Sequence, residues 1–81
     1  MHAGIEIDSE AAEPPYRQIA AWLRERITSG DIPVGRKIPS EKDIMDLTGV
    51  ARTTARRAFA VLREEGLIRT TSGRGSHVLP R

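Results

Sequence analysis

Between Ser40 and Phe59 the chain sets out Ser40, Lys42, Arg52, Thr53, Thr54, Arg56 and Arg57, a run of hydroxyls and cations. These side chains donate hydrogen bonds to phosphate oxygens, and an arginine fork also matches a guanine edge. A second group lies in Ser72-Gly73-Arg74-Gly75, where a tight turn projects one guanidinium with little bulk around it. Such a tip fits a narrow minor groove, whose negative potential attracts arginine. The turn lacks the lysine and following helix of a phosphate-binding P-loop. Catalytic chemistry has no comparable set. The chain has no Cys, and His2 and His77 stand near its ends, far from paired carboxylates. No enzyme activity, cofactor or metal is therefore expected.

The 81 residues suffice for one small domain. The net charge of +2 conceals an uneven distribution. Residues 1–13 carry Glu6, Asp8, Glu10 and Glu13 with no Lys or Arg, a charge of −4. Residues 14–81 carry 13 basic against 7 acidic side chains, a net +6. An acidic arm thus precedes a basic body suited to a polyanion. Arginine outnumbers lysine 11 to 2, which suits base and phosphate recognition but also follows from a GC-rich genome. No apolar run approaches the roughly 20 residues of a membrane span, and no secretion signal is present. The absence of cysteine fits a reducing cytosol, so a cytoplasmic, nucleoid-associated protein is expected.

Apolar periodicity supplies the elements that must hold these groups. Ile5-Glu6-Ile7-Asp8 alternates as a short strand does, and Ser9 to Glu13 reads as a linker. Pro14-Pro15 opens a first helix whose stripe is Tyr16, Ile19, Ala20, Leu23 and Ile27, closed at Ser29-Gly30. Trp22 sits beside that stripe, at the core edge. After a turn over Asp31 to Lys37, Lys37-Ile38 adds one or two residues to a small sheet. Ser40 caps a second helix, with Asp43 completing a capping-box variant. Ile44, Met45 and Leu47 give this helix its buried side, and Thr48-Gly49 stops it. A third helix runs over about 52–65, with Ala55, Ala58, Phe59 and Leu62 towards the core. Residues 67–71 and 76–79 form two strands joined by the turn 72–75. The fold class is mainly α with a small β-hairpin: a winged helix-turn-helix over 14–79, preceded by the arm 1–13.

At 100° per residue the third helix points Thr53, Arg57, Ala60 and Glu64 away from its core face. Arg52, Arg56 and Arg63 line one flank, and Thr54 and Val61 the other. Its N-terminal end is cationic, the end a recognition helix offers to a major groove. Four arginines between residues 52 and 63 without an acid do not follow the pattern of i,i+4 salt bridges.

The chain resembles the DNA-binding domain of the GntR family of bacterial transcription regulators. The resemblance covers about residues 14–79 and is carried in order by Tyr-x-Gln-Ile, Ile-x-Ser-Gly, Gly-x-x-Ile-Pro-Ser-Glu, Gly-Val, Arg-x-Thr-x-Arg, Glu-Gly-Leu and Gly-Arg-Gly. It implies DNA contacts from Lys42 at the start of the second helix, from Arg52 and Arg56 beside Thr53 and Thr54, and from Gly73 beside Arg74. Two residues depart from the family pattern: Lys42 stands where Arg is usual, and Ala51 where Ser or Thr is usual. Family members also continue into an effector-binding, dimerising domain, whereas this sequence stops after the wing, so no small-molecule effector is expected within it.

The expected function is sequence-specific binding of double-stranded DNA by a transcriptional repressor. The recognition helix enters the major groove and the wing the minor groove. The expected target is an inverted-repeat operator bound by a homodimer assembled weakly or with DNA's help, through the N-terminal arm. Two alternatives stay open: a winged-helix protein-interaction module, and the DNA-binding fragment of a longer effector-responsive regulator or of an enzyme with a fused pyridoxal-phosphate domain.

Overall fold

Apolar residues spaced along three helices and a hairpin converge on a single core in a computed structural model that describes residues 4–80. Residues 1–3 of the arm and Arg81 lie outside the described residues. The order is α1 (Pro15–Thr28), α2 (Glu41–Thr48), α3 (Arg52–Glu64), β1 (Ile68–Thr71) and β2 (Gly75–Val78). Ile19, Ala20, Leu23 and Ile27 of α1 are buried against Ala55, Ala58, Phe59 and Leu62 of α3. The small Ala55 and Ala58 let α3 lie close to its neighbours, and both are fully buried. Trp22 is half-buried at the edge of this core. At the far ends of the two helices, Arg24 donates from Nε and Nη2 to both Glu65 oxygens, at 2.8 and 2.7 Å. This fork holds the Glu65 carboxyl below its ordinary range.

The second helix is short and sealed at both ends. Ser40 accepts from the Asp43 N–H at 3.0 Å, and Asp43 accepts from the Ser40 N–H at 2.9 Å. Gly49 terminates it at φ 77, a left-handed conformation that costs an L side chain free energy. Leu47 does not join the buried side; it is 51% exposed. In two turns of helix only Ile44 reaches the core fully, and the position four residues on is Thr48, whose hydroxyl donates back to the Ile44 carbonyl. Leu47, three residues on, is carried past the interface.

The hairpin pairs Ile68 with Val78, Arg69 with His77, Thr70 with Ser76 and Thr71 with Gly75. The segment before α2 runs beside β2, with Ile38 N–H donating to Ser76 and Val78 N–H to Arg36, but only the Lys37–His77 bridge is regular. Gly75 belongs to β2 rather than to the turn. Its φ is 85, and a Cβ placed there would meet Lys37 Cε at 2.5 Å. The backbone angle is what calls for glycine, and the end of the flexible lysine side chain lies over the space that a Cβ would take.

No strand forms at Ile5–Asp8. Ile5 and Ile7 are half-buried against the core, while the Asp8 backbone exchanges hydrogen bonds with the Gln18 amide. Gln18 also donates to the Glu13 carbonyl at 2.8 Å, fastening both ends of the linker to α1. Period-two alternation here reflects packing of one side of an extended segment on helices, with no neighbouring strand to pair with.

Ser40→Ala is expected to destabilise the domain by about 1 kcal/mol in urea unfolding, the usual worth of an N-cap. Donation from the Ser40 N–H, reinforced by the Ser40 hydroxyl contact, lowers the Asp43 carboxyl from its ordinary 3.8. The folded value lies below the unfolded one, so the stabilisation is complete above the ordinary range and is lost as pH falls through the folded value. Parent and Asp43→Ala stabilities should therefore differ at neutral pH and converge in acid.

Candidate nucleic-acid interface

The N-terminal half of α3 stands between two grooves. One is lined by Ser40, Glu41 and Lys42 of the α2 start, by Arg52 and Phe59, and by Thr70 to Gly73, Gly75 and Ser76 of the hairpin. It brings four sequence-predicted residues together: Ser40, Lys42, Arg52 and Gly73. The other groove is lined by Thr53, Thr54 and Arg57 with Pro14, Pro15 and Tyr16 of the α1 start. Arg56 lies exposed on α3 and Arg74 exposed at the hairpin turn, where its N–H donates to the Thr71 carbonyl at 2.9 Å. Thr53 is exposed and Thr54 half-buried.

The cations on the flank facing α2 are held. Arg52 Nη1 lies 3.5 Å from Glu41 Oε1, and Arg56 Nε lies 3.6 Å from Glu41 Oε2. One carboxylate, itself 26% exposed, therefore aligns both guanidiniums across the helix-turn-helix. Further along the same flank, Arg63 donates to Thr70 at 3.0 Å, and Thr70 is hydrogen-bonded to Ser76 at 2.7 Å, tying α3 to the hairpin. Lys42 donates to Asp46 at 2.9 Å, which raises its pKa. On the opposite flank Arg57 lies over the Tyr16 ring at 4.0 Å from its centroid, with Arg17 at 5.4 Å. Its outward direction on the helical wheel is thus bent back onto α1.

Glu41 and Tyr16 were not legible as site residues. Glu41 reads as an ordinary first-turn acid, favourable to the helix dipole, and Tyr16 as the start of a core stripe. The absence of acid between Arg52 and Arg63 is the one available signal, because it leaves the arginines to seek a carboxylate elsewhere. Ala51 caps α3 with extended backbone and no side-chain hydrogen bond, so the first-turn N–H groups lack the closure that α2 has. Among the described residues, no group of acids and histidines could hold a metal ion, and no helix is long and apolar enough to cross a membrane.

The pattern described as "Bacterial regulatory proteins, gntR family" matches residues 15–78. The chain belongs to the GntR family. It is 43% identical over 72 residues to the Exu regulon transcriptional regulator of Escherichia coli (strain K12), covering 86% of this chain and 28% of that protein. The chain thus spans less than a third of the length of this GntR-type relative. Among solved structures, it is similar to YtrA from Sulfolobus acidocaldarius, a GntR-family transcription factor, at 33% identity and a TM-score of 0.86, covering 98% of this chain and 83% of that one. It is also similar to AraR(DBD) in complex with operator ORX1, at 29% identity and a TM-score of 0.86, covering 96% and 99%. The fold is therefore the GntR winged helix-turn-helix, the DNA-binding fold of this family of transcription regulators.

A double-mutant cycle on Tyr16→Leu and Arg57→Ala should return a coupling of roughly 0.5–1 kcal/mol in unfolding experiments, as an exposed cation–π pair does. A coupling near zero would show that the ring does not hold the guanidinium in solution.

Proposed function

We propose that this GntR domain reads a specific operator as part of a transcriptional repressor, with two copies meeting on an inverted repeat in the nucleoid of the cytoplasm. The observation that carries this reading is the aligned pair Arg52 and Arg56, held side by side by Glu41 at the N-terminal end of α3. Guanidiniums fixed in this way lose less rotamer freedom when they engage a base edge. Arg52 and Arg56 supply base contacts in the major groove, with Thr53 beside them. Lys42, Thr54, Arg57 and the Ser40 region hold phosphates, and Gly73 and Arg74 reach the adjacent minor groove. Lys42 is a point charge where a family arginine would offer a fork, so its role is confined to the backbone. The likeness to AraR(DBD), solved with its operator, supports DNA as the partner of this surface. The two-fold symmetry usual for helix-turn-helix operators supports the inverted repeat.

Selection of bound duplexes from a random pool tests the reading directly, since it returns the half-site, its symmetry and its spacing. Arg56→Ala should then lose about 1–3 kcal/mol of discrimination at one base pair. With about six phosphates neutralised per protomer, log K should fall against log salt with a slope near −5. A salt-insensitive complex would contradict the electrostatic account. Glu41→Gln should bind random duplex about 1.4- to 30-fold more tightly, the worth of one or two exposed ion pairs at roughly 0.2–1 kcal/mol each. The same variant should discriminate less well, because its arginines are no longer aligned.

A further inference from the structure

The outward face of the wing sheet carries charge that the helix-turn-helix does not use. Strand alternation sorts the hairpin into two sides. Ile68, Ser76 and Val78 are buried beneath it, so the paired Arg69 and His77 face the other way, with Thr71 and Gly75. Lys37 is bridged to His77 from the opposite edge, and its stem crosses the surface of Gly75. Lys37, His77 and Arg69 therefore form a row across three adjacent segments, with Arg74 at the tip. From Gly66 to Leu79 the sequence has no Asp or Glu.

Lys37, Arg69 and Arg74 also differ from the cations of the helix-turn-helix in their partners. Arg52, Arg56 and Lys42 each meet a carboxylate within the fold. Among the described residues, Lys37, Arg69 and Arg74 side chains make no hydrogen bond or ion pair. Asp43 is bound first to Ser40 and feels the Lys37 charge only as the least of its influences. Lys37, Arg69 and Arg74 thus set a row of positive charge on the sheet face that closes no ion pair within the fold.

The geometry points to a second phosphate-binding face, in which Lys37 and Arg69 grip the backbone of the same duplex at the lip of the minor groove that Arg74 enters. This rests on the DNA-binding reading above and adds residues to it. At about 3.3 Å per strand residue, the row stands roughly 10 Å behind the tip, a distance that long side chains span to the groove's flanking phosphates. The contacts are with phosphate alone, so they contribute affinity and salt dependence without sequence preference. Lys37 reaches across the sheet because Gly75 offers no side chain to stop it.

The test measures binding of a random-sequence duplex of about 30 base pairs, and of the selected operator, between roughly 50 and 200 mM salt. The double variant Lys37→Gln, Arg69→Gln should show a salt slope shallower by about 1.8, so that the parent's fold loss over this range shrinks by a factor of about 12. Its ratio of operator to random binding should equal the parent's, whereas Arg56→Ala should lower that ratio. Arg69→Glu alone should weaken both duplexes equally, and matching thermal melting of each variant confirms that the fold is intact. A double variant with the parent's slope overturns the proposal while leaving the operator reading in place. A parent that binds neither duplex overturns both.

Discussion

Everything at the surface of this domain depends on how α3 is seated. Its alanine, phenylalanine and leucine side is buried against α1, and the only freedom left to the helix is to present the opposite side to solvent. Two alanines fix the depth of the seat, since larger side chains at those fully buried positions would push α3 off its neighbour. The Arg24–Glu65 fork then fastens the far end of α3 to α1, and Glu41 aligns its near end with α2. The helix is located by apolar contact and oriented by charge.

Helix boundaries and core residues were legible because their signals are local. Proline at the start of α1, the Ser40–Asp43 box and Gly49 each act within a turn of helix, and the apolar stripes repeat at the helical period. Leu47 departs from the apolar pattern because an eight-residue helix with one fully buried residue does not bury every apolar side chain that it carries. The alternation in Ile5–Asp8 gives no strand for a related reason: it records a one-sided environment, which a helical surface supplies as well as a sheet.

The candidate site was legible as a set of cations and hydroxyls, and its partners were not. Glu41 is eleven residues from Arg52, and Tyr16 is on a different helix from Arg57, so only the tertiary arrangement brings them together. The role of Gly75 was hidden in the same way. Gly-Arg-Gly reads as turn chemistry, yet its second glycine clears a path for a lysine from the other side of the fold.

The sharing of one carboxylate between Arg52 and Arg56 has an evolutionary corollary. Exposed positions of α3 such as Thr53, which no side-chain hydrogen bond or ion pair ties to the fold, can drift without disturbing the apolar seat. Glu41, Arg52 and Arg56 are different: replacing any one changes the surroundings of the other two, and effects within such a set depart from additivity by about 0.5–3 kcal/mol. Divergence towards a new target should therefore pass through correlated triple replacements at these positions, while Thr53 varies alone.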